Sequence, residues 1–293
     1  MSKYPKAKVL HDEIVADVVA DRMLGMGDYF ARAGAGKKRI IGSSYGEVGT
    51  LKTSFWISAP GPILLQSLDR GTEGVVDVYL DKLKNEEGRD KEIYVEQYDA
   101  NTHTLETIAK SLKALKDSEI EDAQGVAQEV ANKIEADFVK AIEQGAKTII
   151  WDKETQIYEI FKFAQFGAPS DAPSNYFGLF QRYRHLINLA KDSDINFGVI
   201  QGMKTPWISE MKATGKIGAK PSSKERVRRG MPEIDELMHV NIEHIIQDGA
   251  FLMNVGKVRG PGARGIQNKT IGYMEFPEFA TLMFPDTTEE DWK

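Results

Sequence analysis

Cysteine is absent from this chain of 293 residues. Disulfides and thiolate metal centres are thereby excluded, and a reducing compartment is compatible. No apolar run approaches the roughly 18–20 residues of a membrane helix, so no membrane association is expected. The opening MSKYPKAKVLHDEIVADVV has no uncharged apolar core, so no secretory signal is expected and a cytoplasmic setting is. The five histidines, His11, His103, His185, His239 and His244, make no H-E-x-x-H pattern. His239 and His244 are five positions apart, which does not stack them on one helix face. No G-x-S-x-G occurs, so zinc or triad chemistry is disfavoured. Net charge is −6. Attraction of nucleic acid by the whole-protein field is absent, and any such binding must use a local basic patch.

What is present is enough apolar material, 41% of residues, for a large α/β core. Residues 10–32 space apolar side chains as one or two amphipathic helices, giving a helical extension over 1–37. Strands are expected at KRIIGSS, PILLQSL, EIYVEQYD, KTIIWD and INFGVIQG. Between them, helices are expected at KTSFWIS, VVDVYLDKLKNEEG, 104–145, QIYEIFKFAQFG and YFGLFQRYRHLINLAKDS. The 104–145 helix closes on Gly145, a suitable residue just past a helix end. Residues 204–232 read as a long basic loop, EIDELMHVNIEHIIQD as a helix, GAFLMNVGKVRG and KTIGYMEFP as closing strands, and 286–293 as a polar tail. Alternating strands and helices over 38–285 imply a mostly parallel sheet covered on both faces, with ligands beyond the carboxyl ends of its strands.

The stretch YGEVGTLKTSFW (45–56) has the plan of a phosphate-binding loop. Gly46 and Gly49 give a pliable backbone, and Glu47, Val48, Thr50, Leu51 and Ser54 complete the cradle of amides. Lys52 supplies the cation for the terminal phosphates and Thr53 the hydroxyl for Mg²⁺. Leu51 departs from G-x-x-x-x-G-K-[ST], where the last glycine permits unusual dihedrals. A leucine in ordinary helical dihedrals leaves the loop formed with altered geometry. AGAGKKR (33–39) and GPGARG (260–265) lack the strand and hydroxyl context and read as turns.

A carboxylate must join the metal. KTIIWDKET ends an apolar strand in Asp152. For activating water, Glu73 and then Asp69, just after PILLQSL, are the favoured acids, with Glu154 a rival. Gln201 ends INFGVIQ, where an amide senses a terminal phosphate or merely closes a strand.

Taken in order, GEVGTLKTSFWISAPGPILLQSLDRGTEGVV, TIIWDKET and VIQGMK resemble bacteriophage P-loop ATPases of the AAA/RecA-core group, including the phage single-strand annealing ATPases. The resemblance spans roughly residues 38–260. It implies a RecA-like core, ATP and Mg²⁺ as cofactors, rings or filaments of identical subunits with ATP at their borders, and ATP-controlled grip on single-stranded DNA. A phage single-strand-binding protein is an implied partner, in the host cytoplasm. It also implies phosphate and metal roles for Lys52 and Thr53, a metal role for Asp152, the acidic role for Glu73 or Asp69, and a strand-end role for Gln201. Lys153 departs from the small hydroxyl residue common after the acid.

Lys204, Lys212, Lys216, Lys220, Lys224, Arg226, Arg228 and Arg229 face only Glu210 and Glu225 within 204–229, a local excess suited to phosphate backbones. Trp207 adds a stacking surface. Later, Lys257, Arg259 or Arg264 in KVRGPGAR is placed to enter a neighbouring subunit's site. Two other functions fit the same loop: a nucleotide-switched scaffold with little hydrolysis, which Leu51 favours, and a small-molecule kinase, which the basic loop disfavours.

Overall fold

The computed structural model describes residues 38–68, 71–87, 90–98, 117–167, 176–205, 207–211, 217–221 and 226–293. Arg39–Lys293 is one compact unit. The helical extension expected over 1–37, and the acid Asp69, lie outside the described residues.

In chain order, β1 (Ile41–Gly46), α1 (Lys52–Ile57), β2 (Ile63–Ser67), α2 (Thr72–Lys82), β3 (Ile93–Gln97) and α3 (Asp117–Glu143) come first. Then follow β4 (Thr148–Asp152), α4 (Glu154–Phe166), α5 (Phe177–Asp192) and β5 (Asn196–Gln201). Four short strands come next, β6 (Met203–Lys204), β7 (Trp207–Met211), β8 (Ile217–Pro221) and β9 (Val227–Arg228). The chain closes with α6 (Ile234–Leu237), β10 (Val240–Gln247), β11 (Ala250–Val258), α7 (Ala263–Ile266), β12 (Lys269–Gly272) and α8 (Phe276–Met283).

The main sheet has eight strands in the order β12-β11-β10-β1-β5-β4-β2-β3. From β10 to β3 all pairs are parallel, and β11 and β12 add antiparallel pairs at one edge. Alternation along the strands feeds two cores. Ile149 and Trp151 of β4 pack with α3, α4 and α5 on one face, and Ile150 packs with α1, α2 and α8 on the other. This is a mixed α/β, mostly parallel arrangement covered on both faces. One strand, β5, separates the loop-bearing β1 from the acid-bearing β4.

A buried polar network fixes β4 against β2 and α3. Trp151 Nε1 donates to Gln66 Oε1 (2.7 Å), and Gln66 Nε2 donates to Ile134 O (2.9 Å) and Tyr98 Oη (2.5 Å). Gln66 is fully buried, and these bonds offset its desolvation.

Three readings change. EIDELMHVNIEHIIQD holds only the short α6, and VNIEHIIQ is strand β10. Its Val240, Ile242 and His244 are buried at a period of two, because the segment pairs with β1 from Gly42↔Val240 to Gly46↔His244. The basic segment is not featureless: β6 pairs with β9 and β7 with β8. The last residues are also packed. Trp292 is buried and stacks on Phe284 (5.4 Å between centroids).

Candidate phosphate-binding site

The loop between β1 and α1 is held from below by aromatic packing. Trp56 lies on the backbone of β1 and β5, where Cβ atoms on Gly42 and Gly198 would come within 3.2 and 2.3 Å of its ring. Its indole nitrogen donates to Ser44 Oγ (2.9 Å), which also meets His244 Nε2 at 3.1 Å. Burial, then the charge of Lys52, push the His244 imidazole down to about 3, so it stays neutral under the loop.

Gly46 has φ +145, and a Cβ there would meet His244 O at 2.2 Å. Only glycine fits. At the other end of the loop Leu51 adopts φ 64, ψ 20, the left-handed conformation that glycine ordinarily takes. The expectation of ordinary helical dihedrals at Leu51 is thus corrected: the loop keeps a glycine-like path and places a leucine on it. Phe55 N donates to Leu51 O (3.0 Å), so the amides of Lys52, Thr53 and Ser54 have no intrahelical acceptor.

Lys52 Nζ lies inside the loop and donates to Gly46 O (3.1 Å), Glu47 O (2.5 Å) and Thr50 Oγ1 (3.0 Å). Burial lowers its pKa, while Asp152 and Glu47 oppose that shift. Thr53 Oγ1 donates to Asp152 Oδ2 (2.9 Å), and Thr72 Oγ1 approaches the same oxygen at 3.4 Å. The Asp152–Lys153 peptide is cis. A cleft of about 290 Å³ runs over Gly46, Leu51, Lys52, Thr53, Thr72 and Asp152. A larger hollow of about 500 Å³ lies by Ser58, Tyr79 and Lys91, so size alone does not pick this site.

The donor set fits a magnesium-bound triphosphate. Thr53 and Asp152 offer hard oxygens, and no larger acidic or histidine cluster that could hold a metal occurs among the described residues. Mg²⁺ suits such a sparse set because it keeps waters and phosphate oxygens for its other positions.

Glu73, the first of the expected water-activating acids, is not brought to the cleft. Glu73 sits in the first turn of α2 on its exposed side and does not line the cleft; Thr72 does. Turning one residue on a helix moves a side chain by about 100°, and Thr72 takes the inward position by bonding Ser67 Oγ at 3.0 Å. Asp152 is the one carboxylate among the described residues lining the cleft.

Glu154, the rival, is fully buried behind Gln201. It accepts from Gln201 Nε2 (2.6 Å) and Met231 N (3.2 Å). Desolvation raises its pKa to about 7 against the opposing effect of those two donors. Gln201 lines the cleft but has both ends of its amide engaged, since Arg228 Nε donates to its Oε1.

The basic residues part company. Arg228 faces inward: it bonds Gln201 and Asp235, stacks 4.8 Å over Tyr45, and has its pKa lowered to about 10 by burial. Expected among the nucleic-acid contacts, it lies beside Gln201. Arg226 pairs with Glu47 of the loop at 3.0 Å. Lys204 and Arg229 are exposed, and Lys220 lies on β8. Lys212, Lys216 and Lys224 lie outside the described residues. Lys257 and Arg259 lie at the far end of the sheet from Lys52, because β11 runs antiparallel to β10. Arg264 is exposed on α7.

Fold and loop together define an α/β domain with a mostly parallel sheet and a P-loop-like turn. No family model matches the chain, and no curated protein matches it. A solved crystal structure of the RadB recombinase is similar in fold at 10% sequence identity and a TM-score of 0.39, over 77% of this chain and 84% of that one. No described helix is long and apolar enough to cross a membrane.

Proposed function

We propose that this chain binds ATP with Mg²⁺ at the β1–α1 loop and hydrolyses it while acting on single-stranded DNA, in phage recombination or replication as the sequence resemblance implies. The observation that carries the reading is the joint placement of Lys52 Nζ inside the loop and Thr53 Oγ1 on Asp152. The loop amides would hold the phosphates, Lys52 would neutralise the terminal ones, and Thr53 with Asp152 would hold the metal. Mg²⁺ supplies charge neutralisation between the phosphates when bound. Lys204, Arg226 and Arg229 would grip the DNA backbone, and subunits would assemble with Lys257, Arg259 or Arg264 directed at a neighbour's nucleotide. Titration of Lys52→Ala with ATP-Mg tests it: affinity should fall at least about tenfold, the loss of a charge-assisted phosphate contact. Unchanged affinity ends the proposal.

A second reading has a specific observation behind it. Among the described residues Asp152 is alone as a lining carboxylate, and Gln201 is bonded to Glu154 and Arg228. Both features favour a nucleotide-switched assembly protein with little turnover. Phosphate release with and without single-stranded DNA separates the two, a DNA-stimulated rate supporting the enzyme and a flat rate the switch.

A further inference from the structure

Four permanent cations and a histidine come together at the end of the sheet opposite Lys52. Arg39 lies two residues before the start of β1, and His239 immediately precedes β10, its backbone N donating to Ile41 O (2.6 Å). Arg259 follows β11, and its N donates to His239 O (2.7 Å). Lys257 lies two residues earlier and donates to Asp235 O (2.5 Å) and Glu236 O (3.0 Å), two carbonyls of α6. Lys191 stands in the last turn of α5. Four separate pieces of backbone thus deliver basic groups to one place.

The acids nearby do not quench them. Arg39 meets Asp194 only at 3.7 Å, with the guanidinium largely covered (16% exposed) and the carboxylate half in water (49%). Arg39 Nε is buried without a hydrogen-bond partner. Asp192 acts on Lys191 and Glu236 on Lys257, but both carboxylates are exposed. The cations feel one another. Lys191 is held below its usual range by burial and then by Arg259, Lys257 and Arg39. His239 is pushed down to about 4 by burial and then by Lys191 and Arg39, with Arg259 adding to it and a backbone bond to Arg39 opposing it. Like charges held together cost free energy that a bound anion would offset.

We infer that Arg39, Lys191, His239, Lys257 and Arg259 form a second anion site, distinct from the β1–α1 loop, that takes a phosphoryl-type oxyanion. Two forked guanidinium groups suit a tetrahedral anion with several acceptor oxygens. The partly covered Arg39 supplies directed donors, and the exposed Arg259 sits at the rim. The inference stands whether or not Lys52 serves a nucleotide. The oxyanion has two possible sources, a free phosphate or pyrophosphate and the terminal phosphate of a nucleotide carried by a second copy of the chain.

Pyrophosphate is the probe, titrated calorimetrically into Lys52→Ala at pH 7 against chloride of equal ionic strength. One site per chain is expected, weakened at least about tenfold by Arg259→Gln and by Lys191→Gln, both near the surface and compatible with the fold. Binding that both variants leave unchanged, or no binding in Lys52→Ala, overturns the inference. A free-anion source leaves pyrophosphate affinity independent of protein concentration. A second-copy source appears as ATP-dependent self-association of the unaltered chain that Arg259→Gln loses. Failure of the Lys52 reading shows separately, as unchanged ATP affinity in Lys52→Ala.

Discussion

Thr53 Oγ1 donates to Asp152 Oδ2 at 2.9 Å, joining residues 99 positions apart across the strand that separates β1 from β4. The bond sets a hydroxyl and a carboxylate side by side next to Lys52. Thr53→Val removes the hydroxyl and keeps the shape. The expected outcome is a loss of Mg²⁺ dependence in ATP binding with the fold retained, followed by nucleotide titration with and without magnesium. Thr53→Ser should restore it. If Thr53→Val kept a full magnesium effect, the metal would have to be held elsewhere.

Leu51 holds a left-handed backbone at φ 64. A side chain there costs about 1–2 kcal/mol, against about 0.5–1 kcal/mol of extra unfolded-state freedom that a glycine brings. Leu51→Gly is therefore expected to be neutral to about 1 kcal/mol stabilising in urea denaturation, with ATP affinity kept or improved. A clear loss of stability would show instead that the leucine side chain holds the loop in place.

Glu154 has a pKa raised from 4.5 to about 7 in the folded chain. A raised carboxyl favours the fold while protonated. Its contribution is complete below about 4.5 and is lost as pH rises through about 7. At the upper end the difference is on the order of 3 kcal/mol for this fully buried group. His239 and His244, lowered to about 4 and about 3, act in the opposite sense and weaken the fold as pH falls below 6.5. The comparison is hence wild type against Glu154→Gln at each pH, in which the histidines cancel. The variant should gain on the wild type between pH 5 and 8. Parallel curves would mean that Glu154 is ionised throughout.

Gly230 sits at φ +130, and a Cβ there would meet Glu154 Oε2 at 2.1 Å and Gln201 Nε2 at 2.3 Å. Gly230→Ala should cost at least about 2 kcal/mol, from strain together with a displaced buried bond. Gly74 in α2 has nothing within 4 Å of its would-be Cβ, so Gly74→Ala should stabilise by about 0.5–1 kcal/mol. Chemical denaturation of the pair checks both signs, and equal effects would refute the Glu154–Gln201 packing described.

Arg226 and Arg228 lie two residues apart and should behave differently. Arg226 is half exposed and pairs with Glu47, whereas Arg228 is turned in upon Gln201 and Tyr45. If Arg226 meets a single-stranded phosphate, Arg226→Ala lowers the salt slope of DNA binding by about 0.7. Arg228→Ala should leave that slope unchanged and lower stability. Fluorescence anisotropy over a salt series, alongside thermal melts, distinguishes them; equal slope changes would place Arg228 on the DNA as well.

The amino-acid order by itself determined the parts whose causes are local. Strands such as TIIWD alternate or run apolar over a few residues, Gly46 to Thr53 carry their loop chemistry in consecutive positions, and Asp152 is named by ending an apolar run. Only the tertiary structure decided what depends on partners far along the chain. VNIEHIIQ is a strand because β1, about 200 positions earlier, offers it a parallel edge and a buried place for Val240, Ile242 and His244. Thr72 rather than Glu73 faces Asp152 because Ser67 claims its hydroxyl, and Glu154 is inward because Gln201 and Met231 meet it there. Arg228 leaves the basic surface for the same kind of reason, and Arg39, Lys191, His239, Lys257 and Arg259 become neighbours only when β1, β10 and β11 pair. Side-chain direction and charge clustering follow from long-range pairing, which no short stretch of sequence encodes.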